Sequence, residues 1–519
     1  MGPDTIVSGG GFGMSVDLKA RQFVSQQSAK GSIPNLDPIL YPTSIAVIGA
    51  SPAFGKWGQL ILTNIVAGGF EGKIFPVNPK ETSLCGLQSY SSILEVPEEV
   101  DLAFITVPAA RVKEVLEDCG QKGVKGLVMI TSGFSETGPE GAELEKEVVA
   151  ICQQYGMLLI GPNTMGIISP YSRLFATGSH TRPRAGGVAF VSQSGNLGNQ
   201  LVHWASQQGI GISQFIGSGN EAMLGCTDYL GYLEQDRNAQ IIMLYMENVA
   251  DGKAFLEMSR RVNKEKPIIV LKGGRTSAGK AAAASHTGSM GGEYRIFRAA
   301  CNQAGILNVD APSELLDLSA GFSSLPLPKG PRVGIVTLGG GWGVMTADFC
   351  NEMGLQVPPI PQSAIEKIDR YLPPFWSKAN PVDLVGTRDR DVPIVAVEEL
   401  LKCENIDAVI SLGIIGRTEL VRLSVDSTRK VDPSALSDFL DEIIHFVDEL
   451  EEEYVEILVD LMEKYQKPVI GVTLTKSDHG IVRPVSGRRY SGVFYQTPET
   501  AVNVLARMVQ YSKFCSKNQ

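Results

Sequence analysis

The sequence predicts an α/β protein organised as three successive domains with parallel sheets. Short, continuous apolar runs alternate with helix-length segments along most of the 519 residues, a pattern typical of parallel strands buried on both faces. A glycine-bearing turn follows the first strand of each of three series, and a Pro-rich joint, LPLPKGP at 325–331, separates the last two series. A chain of this length is expected to contain about three or four domains.

The first series of apolar runs predicts an N-terminal domain over 41–168, preceded by an extension over 1–40. Its strands are predicted at 44–50, 73–78, 101–107, 126–132 and 157–162. Helical segments lie between them, as in VKEVLEDCGQKG at 112–123 and AELEKEVVAICQQYG at 142–156. This alternation of strand and helix predicts a doubly wound parallel sheet.

Two further domains, 169–328 and 329–519, look like diverged copies of one another. Each opens with a strand, a glycine turn and a helix, in VAFVSQSGNLGNQ (188–200) and VGIVTLGGGWGVM (333–345). Each later contains a strand introduced by Lys-Pro, KPIIVL or KPVIGV. The last domain is longer because of an acidic segment, 434–465, whose three- and four-residue apolar spacing predicts a helix. We interpret its acidic face as a solvated surface, with a partner-binding helix as the alternative.

The composition excludes several classes of protein. A net charge of −10 argues against nucleic-acid binding, which usually needs a basic surface. No apolar run approaches the roughly 18 residues of a membrane-spanning helix, and the N-terminus lacks the basic and apolar regions of a signal peptide. The eight cysteines are scattered without a CxxC pair, so we expect reduced thiols, no metal site and a cytoplasmic location.

The first glycine turn, VIGASPAFGKWGQ at 47–59, follows a strand and opens a helix. Backbone N–H groups at such a turn favour an anionic phosphate. The glycines at 49, 55 and 58 do not follow the G-x-G-x-x-G spacing of NAD enzymes, and the second strand ends in Asn78-Pro79-Lys80 instead of an acidic residue. A lysine there suits a phosphorylated ribose or a pyrophosphate. The turn therefore favours a nucleotide-bearing cofactor other than NAD, and an NAD-dependent oxidoreductase is the disfavoured alternative.

Several motifs together carry a family resemblance: SIAVIGAS, FPVNPK, GPNTMG, VSQSGNLG and above all GGRTSAGKAAAASHTGSMGG at 273–292. They resemble the alpha subunit of ADP-forming acyl-CoA (acetyl-CoA) synthetases and, more distantly, that of succinyl-CoA synthetase. The resemblance covers about 40–515, and SHTGS is its most specific part. It implies an N-terminal Rossmann-like CoA-binding domain followed by two flavodoxin-like domains, the first of which carries a phosphohistidine loop.

The resemblance also implies an activity. In that family, acyl-CoA and phosphate give an acyl phosphate and CoA, and the phosphoryl group then passes to a histidine and from it to ADP. The corresponding residue here is His286, whose imidazole nitrogen is a competent phosphoryl acceptor. An ordinary loop histidine is the alternative reading of His286.

Further site residues are implied by the same match. Glu247 corresponds to the glutamate that holds the histidine, with a surface carboxylate at the strand end as the alternative. The implied phosphate and substrate contacts are Asn163, Thr164, Ser192, Ser194 and Gly195. The implied coenzyme A contacts are Gly49, Ser51, Lys80, Val107 and Pro108.

Two departures from the family pattern qualify the expected function. No Gly-rich hairpin, and no lysine with paired acidic residues for Mg–nucleotide, follows residue 330. We therefore expect a separate ATP-grasp beta subunit that holds ADP or ATP with Mg, and hence a hetero-oligomer. In LGGGWG at 338–343, Trp342 also occupies a position at which the family is small, which leaves substrate preference open. A non-catalytic CoA-binding or regulatory protein is the alternative function, and the intact pair His286 and Glu247 favours the enzyme.

Overall fold

A computed structural model describes residues 33–287, 293–387, 389–432, 437–475 and 479–518. The first sheet has five parallel strands in the order β2-β1-β5-β6-β7. These are β1 (Ser44–Ile48), β2 (Lys73–Val77), β5 (Leu102–Ile105), β6 (Gly126–Met129) and β7 (Leu158–Ile160), with a separate small hairpin of β3 (Ser83–Leu84) and β4 (Leu87–Gln88). An isolated parallel bridge, Val77 to Tyr90, lies at the outer edge of β2. The sheet is therefore Rossmann-like. The bridge lies at the edge of the sheet where a further strand would pair with β2.

Residues of the predicted N-terminal extension take part in this fold. Helix α1 (Asp37–Leu40) is short, and Leu36, Ile39 and Leu40 are fully buried. The side chain of Ile39 occupies the space that a Cβ on Gly126 would need, because that Cβ would lie 2.4 Å from its Cγ1. The Tyr232 hydroxyl, in the second domain, donates to the Asp37 carboxylate at 2.8 Å. Residues 36–40 thus pack between the first two domains.

The helices of the first domain are amphipathic and end at left-handed glycines. They are α2 (Trp57–Gly68), α3 (Val112–Lys122) and α4 (Pro139–Tyr155). Their C-cap residues, Gly69, Gly123 and Gly156, have φ values of 75°, 81° and 69°. Glycine adopts this conformation without the steric cost that a Cβ brings, which fixes where each helix ends.

The second sheet has seven strands in the order β14-β13-β12-β10-β11-β8-β9. They are β8 (Gly166–Ser169), β9 (Leu174–Thr177), β10 (Ala185–Ser192), β11 (Ile212–Gly217), β12 (Ile241–Met246), β13 (Ile268–Lys272) and β14 (Leu307–Val309). The antiparallel hairpin of β8 and β9 was not predicted from the sequence, because its two strands are short and adjoin turn residues. This hairpin contacts α2 through β9 and spans position 168, so it joins the first two domains.

The third sheet repeats the parallel part of the second. Its order is β16-β15-β17-β18-β20-β19, formed by β15 (Val333–Thr337), β16 (Val382–Asp383), β17 (Ala408–Leu412), β18 (Val469–Val472), β19 (Val482–Pro484) and β20 (Ser491–Tyr495). In chain order within each domain, the parallel strands of both sheets read 2-1-3-4-5, which is the flavodoxin-like arrangement. The predicted α/β fold, with one Rossmann-like and two flavodoxin-like domains, is confirmed.

Helices cover both faces of the second and third sheets. In the second domain these are α5 (Gly195–Gln207), α6 (Cys226–Gln235), α7 (Gly252–Val262), α8 (Ser277–Thr287), α9 (Tyr294–Gln303) and α10 (Pro312–Ser324). In the third they are α11 (Gly340–Glu352), α12 (Gln362–Ile368), α13 (Asp391–Lys402), α14 (Arg417–Val431), α15 (Ser437–Tyr465) and α16 (Pro498–Asn518). One continuous apolar core runs through both domains, because α16 packs on α10 as well as on α11.

The acidic segment predicted over 434–465 forms helix α15. Its C-terminal half buries a stripe of side chains against the third sheet, namely Tyr454, Val455, Leu458, Val459 and Met462. Its N-terminal half packs on α14, yet Phe439 and Phe446 are more than half exposed. Trp342, in the first turn of α11, is 47% exposed. Along the described ranges, no helix is long and apolar enough to cross a membrane.

Candidate functional site

The first glycine turn brings the backbone of β1 against the start of helix α2. Gly49 has φ of 88°, and a Cβ there would lie 2.7 Å from Thr106 Oγ1. A Cβ on Gly58 would lie only 2.0 Å from the Gly49 carbonyl oxygen. The Ser51 hydroxyl accepts from the backbone N–H of Ala53 at 3.1 Å, which shapes the turn. The structure thus explains Gly49 and Gly58 by close backbone packing at the mouth of the turn.

The ends of β2 and β5 border the same turn. The Asn78 amide donates to the Ala50 carbonyl at 2.6 Å and accepts from the backbone N–H of Lys80 at 2.8 Å. Asn78 therefore ties the lysine-bearing loop to the glycine turn, while Lys80 itself is exposed. On the other side, Val107 is half-buried and its carbonyl accepts from the Thr131 hydroxyl at 2.7 Å. Pro108 follows it in an exposed position.

Asn163 and Thr164 lie where the first sheet meets the second. The backbone N–H of Asn163 donates to the Thr131 carbonyl at 2.9 Å, and its side chain donates to Asn220 Oδ1 at 3.3 Å. Thr164 is buried, and its hydroxyl donates to the carbonyl of Gly217. The Thr164 side chain thus bonds the second sheet. The Asn163 side chain lies at the junction of the two sheets, with its amide beside Asn220.

Asn220 connects the first domain with the second, and sequence reasoning missed it. Its amide nitrogen lies 2.6 Å from Glu136 Oε2, 2.9 Å from Glu145 Oε2 and 3.2 Å from the Ser135 hydroxyl. Burial alone would raise the pKa of Glu136, but hydrogen bonds from Asn220 and from the Gly133 backbone leave this pKa below its ordinary value. The carboxylate of Glu136 is therefore held ionised at the edge shared by both sheets.

The turn between β10 and α5 has the form of an anion site. Ser194 is the N-cap of α5 but makes no side-chain capping bond, so it leaves first-turn N–H groups without that acceptor. A Cβ on Gly195 would lie 2.2 Å from Met165 Cγ. Ser192 is fully buried, and its hydroxyl donates to the Ser194 carbonyl at 2.7 Å. Ser192 supports the turn from beneath, while Ser194 and Gly195 form its rim.

Glu247 follows β12 directly and is 7% exposed, which contradicts the alternative of a surface carboxylate. Its backbone N–H donates to Gln193 Oε1 at 2.5 Å, and its Oε1 accepts from the Tyr245 hydroxyl at 3.2 Å. Its carbonyl accepts from Lys272 Nζ at 2.6 Å. Burial, and then the neighbouring Glu247, raises the pKa of Tyr245, so this phenol stays a proton donor. Glu247 is thus fixed from three directions.

The segment that leads to His286 begins beside Glu247. Gly273 donates its backbone N–H to the Met246 carbonyl at 2.8 Å, and a Cβ on Gly273 would lie 3.4 Å from Glu247 Cγ. Helix α8 then runs to Thr287, with the backbone of His286 in its last turn. The side chain of His286 and residues 288–292 lie outside the described part of the chain. Helix α8 lies against the short 3-10 helix Ser135–Thr137 of the first domain.

Gln193, Tyr245 and Lys272 were not predicted as site residues, although Gln193 directly follows β10 and the other two lie in β12 and β13. Each is a polar side chain at the carboxyl end of an otherwise apolar strand. That contrast could have singled them out. Glu136 and Asn220 gave no such signal, because 84 positions separate them in the chain. Within the ranges described, no group of three or more His, Cys, Asp or Glu side chains could hold a metal ion.

Three domain families match the chain in order. They are a CoA binding domain over 43–170, a succinyl-CoA ligase like flavodoxin domain over 185–322 and a ligase-CoA domain over 333–416. Together with the glycine turn beside Lys80, these matches define a CoA-binding protein of the succinyl-CoA ligase class.

More specific similarities come from whole relatives. The alpha subunit of acetate–CoA ligase (ADP-forming) II from Pyrococcus furiosus is 42% identical over 381 residues, which cover 73% of this chain and 82% of that protein. The 4-hydroxybutyrate–CoA ligase (ADP-forming) of Nitrosopumilus maritimus is 34% identical over 479 residues, which cover 92% of this chain and 64% of that longer protein. The solved structure of acetyl-coenzyme A synthetase 1 from Ca. Korarchaeum cryptofilum, in complex with phosphate and ADP, superposes with a TM-score of 0.77 at 34% identity, covering 93% of this chain and 98% of that one.

The chain therefore belongs to the family of ADP-forming acyl-CoA ligases, and it corresponds to their alpha-subunit part. The predicted family, CoA as a substrate and the use of ADP or ATP are confirmed by these matches. The relatives are ligases, which favours the catalytic reading over the non-catalytic, regulatory alternative.

Proposed function

We propose that this chain is the CoA-binding, histidine-phosphorylated subunit of an NDP-forming acyl-CoA ligase. The reaction interconverts acyl-CoA, phosphate and ADP with a carboxylic acid, CoA and ATP. One observation carries the proposal: the segment that leads into the helix containing His286 begins at Gly273 beside the buried Glu247, and that helix lies against the 3-10 helix at the edge of the CoA-binding domain. That arrangement suits a histidine that receives a phosphoryl group formed at the CoA thioester.

Coenzyme A would lie across the carboxyl edge of the first sheet, where α/β folds bind ligands. The backbone at Gly49 and Ser51 would approach its phosphates, Lys80 would pair with a phosphate, and Val107 with Pro108 would contact the remainder. The structure supports this assignment because Gly49 and Gly58 permit close approach and the Lys80 amine is exposed. The pantetheine arm would then run toward Asn163 at the junction of the sheets.

The first chemical step would form an acyl phosphate. A phosphate oxygen attacks the thioester carbonyl, the C–S bond breaks and CoA leaves as its thiol. The first-turn N–H groups at Ser194 and Gly195 would hold the phosphate, because the helix α5 dipole favours an anion there. The Asn163 amide would contact the acyl group, whereas the buried Thr164 and Ser192 would maintain the shape of the site.

The second step would move the phosphoryl group. A ring nitrogen of His286 attacks phosphorus, the P–O bond to the acyl group breaks, and the carboxylic acid leaves as its carboxylate. Glu247 would accept a hydrogen bond from the other ring N–H, which fixes the tautomer and supports the charged phospho-imidazole. The phosphohistidine would then transfer its phosphoryl group to ADP.

We propose that a separate ATP-grasp subunit supplies ADP with Mg. The match to a subunit named alpha in Pyrococcus furiosus supports a second subunit. The N. maritimus relative extends beyond the matched region in one chain, and this supports the same module on one polypeptide as the second candidate. The mass of the natively purified chain, together with the identity of any co-purifying protein, separates these two arrangements.

The decisive experiment for the proposed function is a phosphorylation trap. Natively purified protein receives acetyl-CoA and radiolabelled phosphate without ADP, and the labelled residue is mapped by mass spectrometry. We expect an acid-labile phosphoryl group on His286 that is absent from His286→Asn. In Glu247→Gln, which keeps the shape but loses the charge, labelling should slow by about 10²- to 10⁴-fold.

CoA binding measured in the same preparations provides the control. Both variants should bind CoA as the unchanged protein does, because neither residue lies at the first glycine turn. CoA binding without any histidine labelling, across a panel of short acyl-CoA thioesters, would exclude the proposed enzyme and leave the non-catalytic reading.

A further inference from the structure

Lys272 is a lysine in an unusual position, at the end of strand β13, which lies between β12 and β14, with only 7% exposure. Its Nζ donates to the carbonyl of Glu247 and to the carbonyl of Gly273, both at 2.6 Å. Burial lowers the pKa of this amine, and the nearby Glu247 opposes that shift. Taking an ammonium group out of water costs several kcal/mol unless its partners compensate. A lysine at this position therefore needs an explanation.

The two carbonyls that Lys272 holds belong to the two parts of the proposed transfer site. Glu247 carries the carboxylate, and Gly273 is the root of the segment that continues into helix α8. Gly273 also lies close to strand β12, since a Cβ on Gly273 would lie 2.7 Å from the Tyr245 hydroxyl. One buried ammonium group thus fixes the position of the glutamate relative to Gly273, from which the chain continues into the helix that carries His286.

The third domain provides an internal comparison, because its strands pair in the same register. Ile242 pairs with Ile268 in one sheet, as Val409 pairs with Val469 in the other. This register places Thr473 at the position of Lys272. Glu247 and two of its polar neighbours are replaced as well: Gln193, Tyr245 and Glu247 correspond to Leu338, Leu412 and Ile414.

A second pair of lysines shows what the shared architecture does require. Lys266 lies two residues before β13 and donates to the carbonyls of Leu233 and Asp236, both at 2.6 Å. Its counterpart Lys467 donates to the carbonyls of Leu401 and Cys403 at 2.7 and 2.8 Å. The Lys-Pro lysine is thus kept in both copies as part of the fold. Lys272 likewise donates to two backbone carbonyls. The third domain, however, forms its sheet with Thr473 at the corresponding position.

We propose that Lys272 is a positioning residue of the transfer site, which holds Glu247 and the root of helix α8 in one fixed arrangement so that the carboxylate can meet the ring of His286. The inference rests on the proposed function of Glu247 and His286. It extends that function to Lys272, which acts through the backbone carbonyls of Glu247 and Gly273.

The test compares K272M with K266M in the full chain. Each substitution replaces an amine that bonds two carbonyls with an apolar chain of similar length. For K272M we expect the rate of His286 labelling from acetyl-CoA and radiolabelled phosphate to fall by about 10- to 100-fold, since small displacements of reacting groups have effects of that size. CoA affinity should stay within about twofold. Both variants should have lower melting temperatures than the unchanged protein, by similar amounts. K266M should nevertheless label His286 at the unchanged rate.

A double variant separates positioning from general destabilisation. If Lys272 acts through Glu247, K272M/E247Q should label no more slowly than E247Q alone, because the two losses are not additive. Multiplicative losses would overturn the inference, as would wild-type labelling in K272M. Should K272M fail to fold, K272Q replaces it in the test, because glutamine retains a hydrogen-bond donor. K272Q should have the circular dichroism spectrum of the unchanged protein and an intermediate labelling rate.

Hydrogen exchange measures the positioning itself and does not depend on activity. In K272M, the amides of 246–249 and 273–276 should exchange faster than in the unchanged protein, while the same segments in K266M should not change. Unchanged exchange in K272M would overturn the inference even if labelling slowed. Absence of labelling in the unchanged protein, with faster exchange in K272M, would instead count against the proposed phosphotransfer and leave the positioning role standing.

Discussion

The side-chain amide of Gln193 clamps the backbone of Glu247 and Asn248, the two residues that follow strand β12. Its Oε1 accepts from the backbone N–H groups of Glu247 and Asn248 at 2.5 and 3.0 Å, and its Nε2 donates to the Asn248 carbonyl at 3.2 Å. Because Gln193 lies between Ser192 and Ser194, the contact ties the anion-binding turn to the glutamate. Three hydrogen bonds from one side chain therefore connect the two halves of the proposed site.

Replacing Gln193 by leucine, the residue at the equivalent position 338, should separate these halves. The backbone N–H of Glu247 would be left buried without an acceptor, which costs about 1–3 kcal/mol. We expect a lower melting temperature together with slower labelling of His286. Gln208→Leu is the matched control, because Gln208 accepts from the Ile481 backbone at 3.2 Å between the second and third domains. The control should lose stability without losing the labelling rate, and equal rate losses in both variants would refute the clamp.

Gly58→Ala should abolish tight CoA binding by displacing the first glycine turn. The added Cβ would lie 2.0 Å from the Gly49 carbonyl oxygen, so the helix and the turn must separate. Such overpacking typically costs about 1–3 kcal/mol. In Gly55→Ala a Cβ meets nothing within 4 Å, and only the left-handed φ of 80° is strained. Calorimetric titration with CoA should show a large loss for Gly58→Ala and a small one for Gly55→Ala; the reverse order would contradict the close-approach explanation.

Lys80→Met should weaken CoA binding by about tenfold, the effect of losing roughly 1.4 kcal/mol from one charge-assisted contact. Titrations at two salt concentrations should show a weaker salt dependence for the variant. Dephospho-CoA then locates the contact: if Lys80 pairs with the ribose phosphate, the substitution should not affect dephospho-CoA, and if it pairs with the pyrophosphate both ligands should weaken. The variant Lys146→Met, which replaces a partly exposed lysine paired with Glu143, should bind both ligands normally. NAD binding that depends on Lys80 would revive the oxidoreductase alternative.

Glu221→Gln should stabilise the protein in a pH-dependent way. Burial raises the pKa of Glu221 from 4.5 to about 7, although hydrogen bonds from Ser218 and Gln193 oppose the shift. The folded state therefore binds the proton more tightly than the unfolded state, and the unchanged protein loses stability as the pH rises from about 4.5 to about 7. The glutamine variant lacks this loss, which amounts to at most about 3 kcal/mol.

Melting temperatures at pH 4.5, 6 and 8 test this expectation. The advantage of Glu221→Gln over the unchanged protein should grow across the series and level off above pH 7. The exposed Glu140→Gln provides the control and should show no such trend. An advantage that is constant with pH would mean that Glu221 is not protonated in the folded state.

Local sequence patterns predicted most of the architecture. Continuous apolar runs located the central strands of all three sheets, because strands covered by helices on both faces have no polar side to interrupt them. Several of the shortest strands were not predicted, among them β16 at two residues and β14 at three, whereas the three-residue β7 was found within a longer apolar run at 157–162. Runs of that length carry too little periodicity to stand out. The Lys-Pro motif was visible as a repeat, but its physical role appeared only when both lysines were found to hold pairs of carbonyls.

The sequence by itself determined the fold class, the glycine turn of the CoA-binding domain and the candidate pair His286 and Glu247, since these depend on neighbouring residues and on short motifs. Only the tertiary structure decided how the pair is supported. Gln193 reaches Glu247 from one segment and Lys272 with Gly273 from another, and Asn220 reaches Glu136 from another domain. Parallel strands bring residues that are far apart in the chain to one edge of a sheet. Such contacts depend on the register of the strands in the sheet, and no periodic pattern in the sequence indicates them.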